Sequence, residues 1–202
     1  RGQAGTARAM NTTSLLKARY IVETEDWKIV PITDELSANE LLATALSAAR
    51  LGDQTTLRQA EAALGSARGG RTEIMQKMAG ALLHAGMGHA SVATGLMDEA
   101  EATILEMAPP RGSASPIKPV FELYGEILLG LDQPADAAEK FETALVRMPN
   151  RPRSLLGLAR AYAKSGNDEG AAEAYKQLTE VWAGRTSFDG YQEAMRFLQG
   201  QG

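Results

Sequence analysis

Apolar residues recur at intervals of three and four along almost the whole chain, the spacing that gathers them on one face of an α-helix. Runs of alternating β-branched residues are missing, and the nearest, Ile29-Val30-Pro31-Ile32, is interrupted by a proline. The pattern predicts helices over 3–23, 27–32, 38–50, 54–67, 71–86, 90–107, 118–131, 134–147, 152–164, 168–182 and 187–199. Punctuation between them agrees. Gly166 can take the left-handed conformation that closes a helix, with Asn167 or Asp168 capping the next. Asp132 before Pro134 and Asn150 before Pro152 start helices the same way, because proline fits a first turn where its missing N–H has no role. Pro31 is expected to end the short helix. Breaks this short between helices this long imply antiparallel neighbours, hence an all-α chain.

The turns at Asp132 and Gly166 lie 34 residues apart, and their surroundings correspond. Phe121 matches Leu155, Tyr124 matches Leu158, Gly125 matches Ala159 and Leu128 matches Tyr162. Beyond the turn Ala137 matches Ala171, Phe141 matches Tyr175 and Ala144 matches Leu178. Two of these pairs keep small residues where two helices would have to approach closely.

This 34-residue helix–turn–helix frame resembles the tetratricopeptide repeat, with a small residue midway along the first helix and an Ala and an aromatic on the second. Pro149 stands where that family ends its second helix. The stretch from Glu126 to Leu156 also resembles the C-terminal part of longer bacterial tetratricopeptide proteins. That likeness, with a chain starting at Arg1 in a polar, Gly-rich stretch, reads as a piece of a longer protein. The resemblance implies a right-handed superhelical solenoid of antiparallel helix pairs over residues 1–202, treated as one domain. Its good repeats would be about 118–151 and 152–185, with degenerate ones about 38–70 and 71–107 and a partial unit over 3–33. In the degenerate units Ala81, Ala93, Met97 and Ala100 hold register around Gly88, as do Leu41, Ala45, Leu57 and Leu64 around Gly52. Glu61 takes the aromatic's place. The last helix, 187–199, carries Tyr191, Ala194, Met195 and Leu198 on one stripe and reads as the cap such arrays need.

Composition narrows the chemistry. No cysteine is present, which removes disulfides, thiolate metal sites and cysteine nucleophiles. A net charge of −4 gives no global reason to bind nucleic acid or anionic lipid. No apolar run approaches the length of about 18 residues that spans a bilayer, so a soluble chain of cytoplasm or periplasm is expected. His84 and His89 are five apart, off the one-face spacing of four; His84 falls at a packing position and reads as structural. The Gly-rich Gly65–Gly70 follows a helix and lacks a phosphate-loop lysine, so it reads as a linker. Neither metal nor cofactor is expected, and catalysis is not.

In a tetratricopeptide array the first helices of successive pairs line the concave side. Position matching places there Leu42 and Leu46, then Met75, Met78 and Leu82, then Glu122, Glu126 and Leu129, and last Arg153, Leu156, Arg160 and Lys164. The Leu/Met portion could receive a partner helix, since methionine adapts to varied surfaces, or the loop 108–117 could fold over it. The resemblance thus implies a scaffold that binds a partner protein or peptide, an adjacent segment of the full chain included, with self-association open. The family's clamp for chaperone tails needs cations where Glu122 and Glu126 stand, so a basic or amphipathic segment suits this ridge better. The alternative is an accessory or regulatory domain, or a dimer surface, within a larger enzyme or transport assembly.

Overall fold

A computed structural model describes residues 2–66, 70–108 and 112–200. Ten α-helices run through them: α1 (Gly2–Thr24), α2 (Ala38–Leu51), α3 (Gln54–Ser66), α4 (Gly70–Gly86), α5 (Ala90–Leu105), α6 (Val120–Gly130), α7 (Pro134–Arg147), α8 (Pro152–Ser165), α9 (Asp168–Val181) and α10 (Asp189–Gly200). No strand occurs among the described residues. Parts of the Gly-rich linker (67–69) and of the Pro-rich loop (109–111) lie outside them.

Sequence spacing predicts each helix to within two residues at most ends, because the turn chemistry is local. The same turn occurs four times. Gly52, Gly88, Asp132 and Gly166 all sit at left-handed φ, between 62° and 79°. The N–H after each reaches back to the carbonyl five residues earlier: Asp53 to Ala48 at 2.8 Å, and His89 to His84, Gln133 to Leu128 and Asn167 to Tyr162 at 2.9 Å. That bond satisfies one of the carbonyls a helix end leaves open. The carbonyls of Asp53, His89, Gln133 and Asn167 then accept from Leu57, Ala93, Ala137 and Ala171, each at 3.0 Å, starting the second helix. Leu57, Ala93, Ala137 and Ala171 are all fully buried, as are the small residues Ala45, Ala81 and Ala159 of the first helices. Four hairpins therefore share one backbone frame, although their sequences agree closely only in the last two.

The described residues divide into two compact units, the first up to residue 108 together with 112–120, the second over 121–200. In the first, α2 packs on α1, α3 and α4, α3 packs on α4, and α4 on α5. With residues 25–36 beside it, this arrangement leaves little of the middle of α2 to solvent, and eight successive residues from Leu41 to Ala48 are buried. A capping box sets its start: the Ser37 hydroxyl accepts from the Glu40 N–H while Glu40 Oε2 accepts from the Ser37 N–H at 2.9 Å.

One predicted helix does not form. Residues 27–32 are irregular, so α1 has no second helix of its own. Glu25 takes a left-handed φ of 58° and turns the chain, and the Trp27 N–H closes onto the Glu25 carbonyl. The Lys28 N–H, which a helix would spend internally, donates instead to Ser47 Oγ of α2 at 3.2 Å. Pro31 supplies no N–H at all. The segment is an irregular strap tied to α2.

In the second unit α7 packs on α8, α8 on α9 and α9 on α10. The Phe141 ring of α7 lies between two glycines. A Cβ at Gly125 of α6 would stand 2.7 Å from it, and Gly157 of α8 is pressed against the same ring. Phe141 is fully buried, with Ala144 beside it in the core. Size, not conformation, demands glycine at both places.

Candidate functional site

The face predicted to meet a partner is largely closed. Leu42, Leu46, Met75 and Met78 are buried in the first unit, and Leu156 and Glu122 in the second; Leu82 is half-buried. These corrections have different causes. In the first unit α1 lies against α2, and the described part of the long loop turns inward through Ala114 and Ile117. Arg19 of α1 ties that loop down by donating from Nη2 to the Ala114 carbonyl at 3.0 Å. The Leu/Met stripe is core here, and offers no open groove.

Glu122 is closed off by its own partners. Its carboxylate takes a forked pair of bonds from Arg151, Nε to Oε2 at 2.6 Å and Nη2 to Oε1 at 3.0 Å. Ser154 Oγ donates to the same Oε2 at 2.7 Å. Glu122 and Ser154 have no exposed surface, and Arg151 only 8%. Burying charge is tolerated only when each charge is paired and its remaining sites are bonded, which this cluster achieves. It welds the start of α6 to the start of α8. Sequence spacing placed Glu122 on the correct helix, but Arg151, just ahead of Pro152, carried no signal of its own.

What stays open is the edge formed by Glu126, Arg153, Arg160 and Lys164. Glu126 and Arg153 are half-buried, and Arg160 and Lys164 are about half exposed. The Arg153 guanidinium lies over the Trp182 ring, 5.6 Å from its centroid. Lys164 pairs with Asp132 Oδ1 at 2.8 Å, holding that carboxyl below its usual range through the hydrogen bond and the charge. Arg160 forks onto Glu193 of α10, Nε to Oε1 at 2.8 Å and Nη2 to Oε2 at 2.6 Å.

Tyr175 donates to Glu193 Oε1 at 2.7 Å. Partial burial pushes the Glu193 carboxyl upward, yet the bonds from Arg160 and Tyr175 outweigh it and hold the group below the ordinary glutamate range. Burial first, and then the bond to Glu193, push the Tyr175 hydroxyl up. The docking face of α10 therefore runs through Gly190, Glu193, Ala194 and Phe197, whose ring lies 4.9 Å from that of Tyr175. Tyr191, Met195 and Leu198 of the predicted stripe are only half-buried.

A group lowered on folding stabilises above its unfolded pKa and loses that contribution as pH falls through the folded one. Amide protection in α10, taken relative to the intrinsic exchange rate at each pH, is thus expected to fall below about pH 4, ahead of global unfolding. Glu193→Gln should remove that acid step. An identical acid step in the variant would refute the assignment.

Two further features escaped the sequence reading. His84 and His89 meet across the α4–α5 turn, Nδ1 to Nδ1 at 3.3 Å, so residues off a common helix face still become neighbours. A cavity of about 560 Å³ opens between α1, the strap and α2, lined by Leu16, Tyr20, Val30, Leu36 and Ala43 among others. Its only signal in the sequence is Pro31, the expected end of a helix that does not form. Among the described residues no three His, Asp or Glu side chains converge as metal ligands do, and no helix is long and apolar enough to cross a membrane.

Comparison with known proteins agrees with the second unit. Residues 128–181, from the end of α6 through α9, match the family model described as tetratricopeptide repeat. No curated protein and no solved structure matches the chain.

Proposed function

We infer, from a chain that carries tetratricopeptide repeats over residues 128–181, a module that holds another protein through the open edge of α8. The family is generally a protein–protein interaction module. The observation that carries the finer reading is the row Arg153, Arg160 and Lys164, which follow one another at helical spacing on α8, Arg160 and Lys164 about half exposed and Arg153 half-buried over Trp182, while Ser154 to Ala159 and Ala161 form its buried side. With Glu122 withdrawn into the interior, the acidic ridge shrinks to Glu126, and the two most exposed cations of α8, Arg160 and Lys164, hold ion pairs with Glu193 and Asp132 that a partner's carboxylates would exchange into. An acidic segment of a partner suits it best. The mechanism is display: rigid hairpins hold the row in place, and no bond is made or broken.

Arg160→Gln with Lys164→Gln tests this reading. The Lys164–Asp132 pair is exposed and contributes roughly 0–1 kcal/mol, whereas Arg160 also helps Tyr175 hold the half-buried Glu193 of α10, so a thermal melt must first show that the variant keeps its fold. A partner captured on the wild-type chain should bind the variant more weakly and with a flatter dependence on salt. Equal affinity and equal salt dependence would contradict it.

A further inference from the structure

We propose that the cavity between α1, the strap and α2 is a vacant second-helix position, which receives an amphipathic helix from another protein. The first unit shows what normally fills such a place. First helices α2 and α4 touch each other, and α3 packs on both. Its buried stripe is Leu57, Ala60 and Leu64. First helices α1 and α2 also touch, but the chain between them is the irregular strap, and a cavity opens at the third corner.

Side chains that a second helix would cover are left bare there. Leu16 and Tyr20, one helical turn apart on α1, line the cavity and are each 59% exposed. Its volume lies within the roughly 300–1,000 Å³ of specific sites, room for several aliphatic side chains. A helix laying an apolar stripe into a groove is a recurrent mode of recognition. The missing element is itself a helix, which decides between that mode and an extended peptide.

Charge selects the occupant's flank. Three charged residues line the cavity, namely Lys17, Lys28 and Glu40. The Glu40 carboxylate is already engaged by Ser37 and Ser14. Lys28 pairs with Asp26 at 2.6 Å, but both are well exposed and such pairs exchange readily. Lys17 also acts on the Glu40 carboxylate, so Lys17 and Lys28 against Glu40 leave the lining with a net charge of +1, which favours a helix with glutamate beside its apolar stripe.

The probe is a fluorescein-labelled helical peptide of about 14 residues that repeats the Leu/Ala/Leu spacing of α3 and flanks it with glutamates. Anisotropy should show saturable binding to the full chain. Leu16→Glu with Tyr20→Glu should weaken it by about tenfold or more, as should lysines in place of the peptide's glutamates. Both chain positions are largely exposed, so an unchanged melt confirms that the variant is folded. No saturable binding, or undiminished binding to the variant, would overturn the proposal. So would a dimer of the chain alone that the same substitutions dissolve, since a second copy would then be the occupant. Arg160→Gln with Lys164→Gln leaves this slot untouched, so loss of one activity is distinguishable from loss of the other.

Discussion

Glu122→Ala should destabilise the chain by about 3–5 kcal/mol, the loss expected when one member of a buried ion pair is removed and the other stays behind. Arg151, only 8% exposed, would lose the carboxylate that now receives both arms of its fork, and Ser154 would lose the bond to it. Glu122→Lys should be worse, because it adds a second cation to the same closed space. Chemical denaturation of the second unit measures both. The paired replacement Glu122→Leu with Arg151→Leu should recover much of the loss, since no charge is then stranded. A change below about 1 kcal/mol in Glu122→Ala would mean that the cluster is open to water, as exposed pairs are. Glu126→Ala, half-buried at the surface edge, is the contrast and should cost little.

Phe141→Ala is the other large effect, about 3–5 kcal/mol for emptying a fully buried aromatic position. Its neighbours make the loss specific. The ring fills the space that Gly125 and Gly157 leave, so truncation opens a cavity where α6, α7 and α8 meet. Unfolding in denaturant gives the magnitude. A loss under about 1 kcal/mol would show that the helices close up around the gap, which packed repeat interiors do not do freely.

How much of this was legible depends on how local each signal is. The four turns were readable because a left-handed residue, a cap and a proline act within a few positions of one another. Pairings such as Gly125 with Ala159 were readable because close helix crossings exclude large residues. The failures come from tertiary effects. Residues 27–32 have helical periodicity, but Ser47 of α2 takes the Lys28 N–H, and a neighbour elsewhere in the sequence decides the outcome. Met75 and Met78 follow the first-helix register correctly. Register fixes which face a side chain lies on, yet it says nothing of whether that face is covered, and here they are buried. Glu122 shows the same limit for a charged residue. Glu193 lies off the apolar stripe of Tyr191, Ala194, Met195 and Leu198, yet its carboxylate is what α8 and α9 hold, through Arg160 and Tyr175. The open cavity was invisible, since it results from an element that fails to form.

The stacked-hairpin account is tested most directly by a double-mutant cycle on the unfolding free energy, combining Gly125→Ala with Phe141→Leu. A methyl at 125 would stand 2.7 Å from the ring, so Gly125→Ala alone should overpack the crossing by about 1–3 kcal/mol. The smaller leucine should absorb that methyl, so the double variant should lose less than the sum of the two single losses, by about 0.5–3 kcal/mol. Strict additivity would mean that the glycine and the ring do not touch, and would contradict the tight crossing on which the shared interior of these hairpins depends.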